Sequence, residues 1–452
     1  MSKLKKFSPF LLLLVLAFLT RFLFLSYPAE VVFDEVHFGK FVSAYFNHQY
    51  YFDIHPPLGK LMIAGFAKIL GYKGNFDFSQ IGEAFNAESL FVLRFSPAFF
   101  GSLFVILIYG IIISLGLSRK AAFLGSFLVL FDNSFLVQSK FILVDIFLLF
   151  FGFASIYLFI LAEKSKNSSK KRVLFYIVSA VFAGLSFSIK WTGLSFLGII
   201  LFFIFLNSIK QFKFKDFLQK IIIFTIFPFL VYLSVFAVHF TLLKNAGTGD
   251  AFMSPSFQKT LSGSQISANI KPSSFWNKFT ELNIAMYKYN AGITASHPNS
   301  SKWYEWPLTK KSIWYWVKNL DGKIANIYLL GNPLIWLIVL LAVLASLFLI
   351  LFRKLRRKLS PLIYFLILGY FLNLLPFILI SRVTFLYHYL PSLIFGILIL
   401  VIIYDKLLNK LPFSLYLGFL IAVFLLFLFL SPLTYGFPTS LQTHQMYQEL
   451  FF

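Results

Sequence analysis

The chain has 452 residues, 59% of them hydrophobic and only 13% charged, where a soluble domain would carry about 25% charge. Lys and Arg (40) outnumber Asp and Glu (17) for a formal +23, yet the basic residues cluster in short stretches between apolar runs. That placement fits membrane topology and anionic lipid rather than nucleic acid. There is no cysteine, which excludes disulfides, thiol catalysis and zinc-thiolate sites.

Apolar runs of about 20 residues, the length that crosses a hydrocarbon core, recur along the chain. They predict an all-α polytopic membrane protein of one domain, residues 1–452, with no soluble part. About eleven spans are expected, near 8–27, 91–115, 121–138, 141–162, 173–189, 192–209, 221–243, 327–352, 360–380, 389–404 and 412–432. The first reads as a retained signal anchor, because its apolar part is long and no small-residue cleavage site follows. Alternate threading puts the basic clusters Lys3 to Lys6, Arg119 and Lys120, Lys164 to Arg172, Lys210 to Lys220 and Arg353 to Lys358 on the N-terminal, cytoplasmic side. Short or re-entrant helices are allowed around Ser139 and Lys190.

Two long loops then share the opposite face, residues 28–90 and 244–326. In the first, Phe38, Phe41, Val42, Tyr45 and Phe46 recur at helical spacing and predict an amphipathic interfacial helix. Pro56 and Pro57 suit the first turn of a further helix ending near Gly71. The second loop is polar, then aromatic, with Trp276, Trp303, Trp306, Trp314 and Trp316. Such rings serve either as interfacial anchors or as a platform for an extended peptide or sugar.

The residues that carry chemistry begin with Asp34 and Glu35, adjacent acids at the edge of the membrane in an acid-poor chain. Arg94, Asp132, Lys140, Asp145, Lys190, Arg382 and His388 interrupt apolar spans, all toward the same face. A charge at mid-bilayer costs at least about 2.5–3.5 kcal/mol, so each needs a partner or a wet cavity. Interhelical pairing of Asp145 with Arg94 or Lys140 is one reading. The other is group transfer from a lipid-linked phosphate, with cations on the phosphate and a carboxylate taking a proton from the attacking hydroxyl.

Six blocks, taken together, resemble a known family. VVFDEVHFGKF with YYFDIHPPLGKLMIAG, LRFSPAFFG, DNSFLVQSKFILVD, IKWTGL, WYEWPL and FLYHYLP occur in order from Val31 to Pro391. They are similar to the protein O-mannosyltransferases, integral membrane enzymes of the GT-C class. The resemblance implies inverting transfer of mannose from a polyprenyl- or dolichyl-phosphate donor to Ser or Thr of an exported polypeptide. It implies Asp34 as base beside Glu35, and Arg94, Gln138, Lys190 and Arg382 toward the donor phosphate. His55, Asp145, His388, Trp303 and Trp306 are expected around the acceptor or in support.

The family's eukaryotic members carry a β-trefoil MIR domain in the second loop, which is too short here. A bacterial or archaeal type is therefore expected, in the plasma membrane with its site facing outward. No cofactor beyond the lipid donor is indicated, and no metal-ligand spacing stands out, although the carboxylates are compatible with a divalent ion. A GT-C transferase acting on a lipid or glycan is the alternative, followed by a lipid-linked sugar transporter. No nucleic-acid partner is expected.

Overall fold

The computed structural model describes residues 2–165, 169–210, 213–294, 296–352 and 362–451. The basic cluster Arg353 to Lys358 lies outside the described residues, as do parts of the clusters at Lys164 to Arg172 and Lys210 to Lys220. Every expected apolar segment meets a helix. Eight are long and apolar enough to cross a membrane, or nine if Arg119–Leu130 and Asn133–Lys140, bent by 59°, form one broken span. Among the described residues the count therefore falls below the expected eleven. The Pro9–Phe22 stretch is apolar but short, and Ser169–Phe187 opens on Lys170, Lys171 and Arg172.

The break in the third segment has a local cause. Asp132 caps the second half, accepting from the backbone N–H of Ser134 (3.0 Å) and Phe135 (3.4 Å). A capping carboxylate starts a new helix instead of continuing the old one. Asp132 also accepts from Asn332 N (3.0 Å) and Trp336 Nε1 (2.7 Å), so this buried acid is a structural tie.

Small residues bring the spans close, as expected where lipid supplies no hydrophobic drive between helices. A Cβ on Gly152 would meet the Phe196 ring at 2.3 Å, and one on Gly101 would meet Ser139 Oγ at 2.3 Å. The Leu386–Leu408 helix is almost wholly enclosed by its neighbours.

Both long loops are folded. The first contains the expected helices, Glu35–Asn47 and Leu58–Ile69, the latter entered through Pro57 and followed by Gly71 at φ +90°. The second departs from the all-α expectation. Ile313–Leu320 (β1) and Lys323–Leu329 (β2) pair as an antiparallel hairpin, and Thr439–Ser440 (β3) adds to β2. The signal is Asp321-Gly322 between two β-branched and aromatic runs, a strong hairpin turn. Gly322 takes φ +68° there. The expected span at 327–352 accordingly starts later, at Pro333.

The register shifts between Trp314 and Trp316, and Tyr315 and Trp316 are both buried. A bulge of this kind re-aims side chains that strict alternation would turn outward. Its effect is to direct Tyr315 at the first loop. Gly322→Val should loosen the hairpin by about 1 kcal/mol or more, because a β-branched residue resists positive φ. Limited proteolysis should then nick residues 313–329 faster than in the parent chain.

Candidate active site

Asp34 and Glu35, although adjacent, have opposite surroundings. Glu35 is fully buried and its carboxylate is saturated. It accepts from Arg94 Nε (2.8 Å) and Ile142 N (3.0 Å) on Oε1, and from Arg94 Nη2 (2.8 Å) and Val32 N (2.8 Å) on Oε2. Arg94 spends its remaining donors on the carbonyls of Leu25 (3.2 Å), Pro28 (3.0 Å) and Glu30 (3.0 Å). All five guanidinium N–H groups are thus engaged. The expected contact of Arg94 with a donor phosphate is therefore closed to it; Arg94 clamps the first loop to the Ala87–Ser114 helix.

Asp34 sits at the N-cap of the Glu35–Asn47 helix yet makes no cap hydrogen bond. Its carboxylate has no hydrogen-bond or ion-pair partner among the described residues. Burial raises its carboxyl to about 7; Lys190 pulls it down, while Asp145 and Asp53 push it up. A partnerless acid poised near neutrality is what proton abstraction requires.

Lys190 leads into the neighbouring cavity, of about 80 Å³, lined by His55, Asp145, Lys190, Arg382, Tyr387 and His388 among others. Lys190 Nζ is held by both oxygens of Asp145 at 2.8 Å and lies 5.1 Å from the Tyr387 ring centre. Asp145 thus pairs with Lys190, not with Arg94 or Lys140. Lys140 instead donates to the carbonyls of Leu23 (2.8 Å) and Phe24 (3.1 Å). Arg382, half-buried, has no side-chain hydrogen bond or ion pair among the described residues. Burial, then the charges of Lys190, Lys60 and Arg382, hold His55 well below the usual imidazole range, so it is neutral. Lys60 brackets the same loop, paired with Asp53 and donating to the His55 carbonyl at 2.9 Å.

The remaining expected residues separate. His388 lines the cavity, its ring stacked between Trp306 and Tyr387. Trp303 lies in an adjoining groove. Trp306 is fully buried with Nε1 donating to Ser301 Oγ (3.0 Å), so it is core rather than a contact surface. Gln138 is buried, does not line the cavity and donates to Tyr315 OH (3.1 Å). Tyr315 is legible in the sequence only as one of the second-loop aromatics, not as a support for the first loop. It stacks on Phe33 at 4.0 Å, and its carbonyl accepts from Phe33 N (3.1 Å), which fixes the residue before Asp34. The Asp-Gly turn was the available signal. Tyr387 and Asn290, also cavity residues, were missed; Tyr387 stands inside the FLYHYLP block.

A family model described as dolichyl-phosphate-mannose-protein mannosyltransferase matches residues 11–244, more than half of the chain. The chain belongs to the protein O-mannosyltransferase family. A second model, the C-terminal four-span region of protein O-mannosyltransferase, matches residues 275–450. Among curated relatives, protein O-mannosyltransferase 1 of Drosophila melanogaster is 37% identical over 262 residues, 56% of this chain and 30% of its own length. Dolichyl-phosphate-mannose--protein mannosyltransferase 4 of Schizosaccharomyces pombe is 38% identical over 313 residues, 66% of this chain and 40% of its length. The matched part thus spans well under half of these relatives.

A solved structure of the Saccharomyces cerevisiae protein O-mannosyltransferase Pmt1-Pmt2 complex bound to the sugar donor superposes with TM-score 0.89 at 22% identity. It covers 99% of this chain and 92% of that one. ArnT from Cupriavidus metallidurans bound to undecaprenyl phosphate shares the architecture more loosely, with TM-score 0.56 at 15% identity over 92% of this chain and 63% of that one. The fold of this family member is therefore of the GT-C class. Residues 245–274, between the two matched regions, hold loop, short helical turns and isolated bridges at Asn245 and Ser262, and no trefoil.

Breaking the clamp should unfold the first loop. Arg94→Leu, which strands a buried carboxylate, should cost about 3–5 kcal/mol and lower the melting temperature in detergent. Asp34→Asn, which removes a partnerless acid, should leave that temperature unchanged or higher.

Proposed function

We propose that this chain transfers mannose from a polyprenyl-phosphate mannose to Ser or Thr hydroxyls of polypeptides, with inversion at the sugar carbon and Asp34 as the base. The observation that carries this reading is the contrast between the two acids: Glu35 is saturated, whereas Asp34 has no partner among the described residues and feels the charges of Lys190 and Asp145, which line the cavity. The acceptor hydroxyl gives its proton to an Asp34 Oδ as its oxygen bonds to the sugar carbon. The bond from that carbon to the phosphate oxygen breaks, and the electron pair stays on the polyprenyl phosphate. Arg382, whose guanidinium is uncommitted, and Lys190, held in place by Asp145, bind that phosphate and offset its growing charge. Gln138 acts only through Tyr315, and His55 stays neutral at the cavity wall.

The lipid tail of the donor suits the apolar side of the cavity. There Trp191, Tyr287, Leu379 and Ile380 line a chamber of about 370 Å³ that shares Arg382 with the cavity. Both long loops then face outward from the cell membrane, with the N-terminus cytoplasmic, as positive-inside charge placement favours. Acceptors would be reached there during or after export.

The test is purified chain with polyprenyl-phosphate mannose and a Ser/Thr-rich peptide, the sugar located by mass spectrometry. Mannosylated peptide is expected; a product confined to lipid or glycan would favour the alternative transferase. The pH dependence has a definite sign. Asp34 must be ionised to accept a proton, so kcat/KM should be level above about 7 and fall about tenfold per unit below it. A profile flat down to pH 5 would remove Asp34 as base.

A further inference from the structure

Arg382 lines a third space besides the cavity and the apolar chamber. This is a groove of about 750 Å³ between the 300–305 turn, Lys311 and the 377–384 segment. Its volume is that of a ligand site, and it meets the cavity at Arg382 and Phe377. The floor is tied by reciprocal bonds: Ser301 N donates to Thr384 O (2.9 Å), and Thr384 Oγ1 donates to Ser301 O (2.7 Å). The fully buried Trp306, donating to Ser301 Oγ at 3.0 Å, holds that floor from beneath.

The charges in the groove are unbalanced. Lys302, Lys311 and Arg382 face one carboxylate, Glu305, which is turned back to accept from Lys302 N at 2.7 Å. Neither lysine forms an ion pair or side-chain hydrogen bond among the described residues. The turn that carries Lys311 is strained: Thr309 and Lys311 sit at φ +54° and +56°. Residues with a Cβ resist that region at a cost of about 1–2 kcal/mol each, which glycine would avoid. Strain kept where a lysine enters a groove beside the cavity favours a use for that lysine.

We propose that this groove binds the polypeptide flanking the acceptor Ser or Thr and selects acidic residues there. The inference rests on the O-mannosyl transfer reading. Ser300 and Ser381 offer neutral polar partners to extended backbone above the tied floor, while Lys302 and Lys311 supply the charge preference. Lipid headgroups would also attract exposed lysines, but the groove's polar floor and its opening at Arg382 fit an extended chain better.

The experiment uses three peptides that differ only in residues flanking one Thr: Glu, Gln or Lys. Transfer by the full chain is measured with polyprenyl-phosphate mannose in neutral-lipid nanodiscs and in nanodiscs with added anionic lipid. At low salt the kcat/KM for the Glu peptide should exceed that for Gln by about threefold to tenfold, with Lys the poorest. The advantage should shrink at about 0.5 M salt. The double variant Lys302→Glu/Lys311→Glu should favour the Lys peptide instead. Equal use of Glu and Gln peptides by the parent chain overturns the groove assignment while leaving O-mannosyl transfer standing. So does an unchanged preference in the double variant, or a preference that follows the anionic lipid content of the nanodisc. Transfer to none of the three peptides would defeat the underlying reading, and the groove with it.

Discussion

Everything at the candidate site depends on one buried ion pair, Arg94 with Glu35. Two charges in a membrane protein's interior are costly unless each lone pair and N–H finds a partner. Here all five Arg94 donors and both Glu35 oxygens are engaged. The pair joins the first long loop, the Ala87–Ser114 helix and Ile142, in the turn between the Asn133–Lys140 and Asp145–Lys164 helices, into one unit. Because that unit is saturated, the neighbouring Asp34 can be left without a partner and still be held in position. In the proposed reaction Glu35 supplies placement and Asp34 supplies chemistry.

The cations divide in the same way. Arg94 and Lys140 satisfy backbone carbonyls inside the bundle, whereas Lys190 and Arg382 border open space. Lys190 is held by Asp145 and stays close to neutral overall with it. Arg382 is the uncommitted charge, shared by the cavity, the apolar chamber and the polar groove. A residue at that junction can sense a lipid phosphate, a tail path and a polypeptide at once. This arrangement suits the proposed transfer, whose two substrates differ so much in polarity.

Much of this was legible before any coordinates. Period 3.6 in Phe38 to Phe46 and the prolines before Leu58 placed both helices of the first loop, and apolar length placed the spans. The hairpin at residues 313–329 was not read, because its aromatic strands resemble an interfacial belt and the Asp321-Gly322 turn was passed over. That omission hid the packing of Tyr315 on Phe33. The partners of buried charges were harder still: Asp145 chose Lys190 over Arg94 and Lys140, a choice set by where the break after Lys140 directs the chain. That Asp34 and Glu35 need not share one role was legible, because neighbours on a helix point about 100° apart. Only packing decides which of the two is buried.

The most direct test replaces each acid by alanine and offers formate as a mobile carboxylate. Asp34→Ala opens space beside the cavity, so formate should restore mannosyl transfer that the variant alone has lost. Glu35→Ala loses a buried clamp, which a free anion cannot rebuild. Formate should therefore leave its transfer unrestored. Rescue of Glu35→Ala alone, or wild-type transfer by Asp34→Ala without formate, would contradict the division of labour between the two acids.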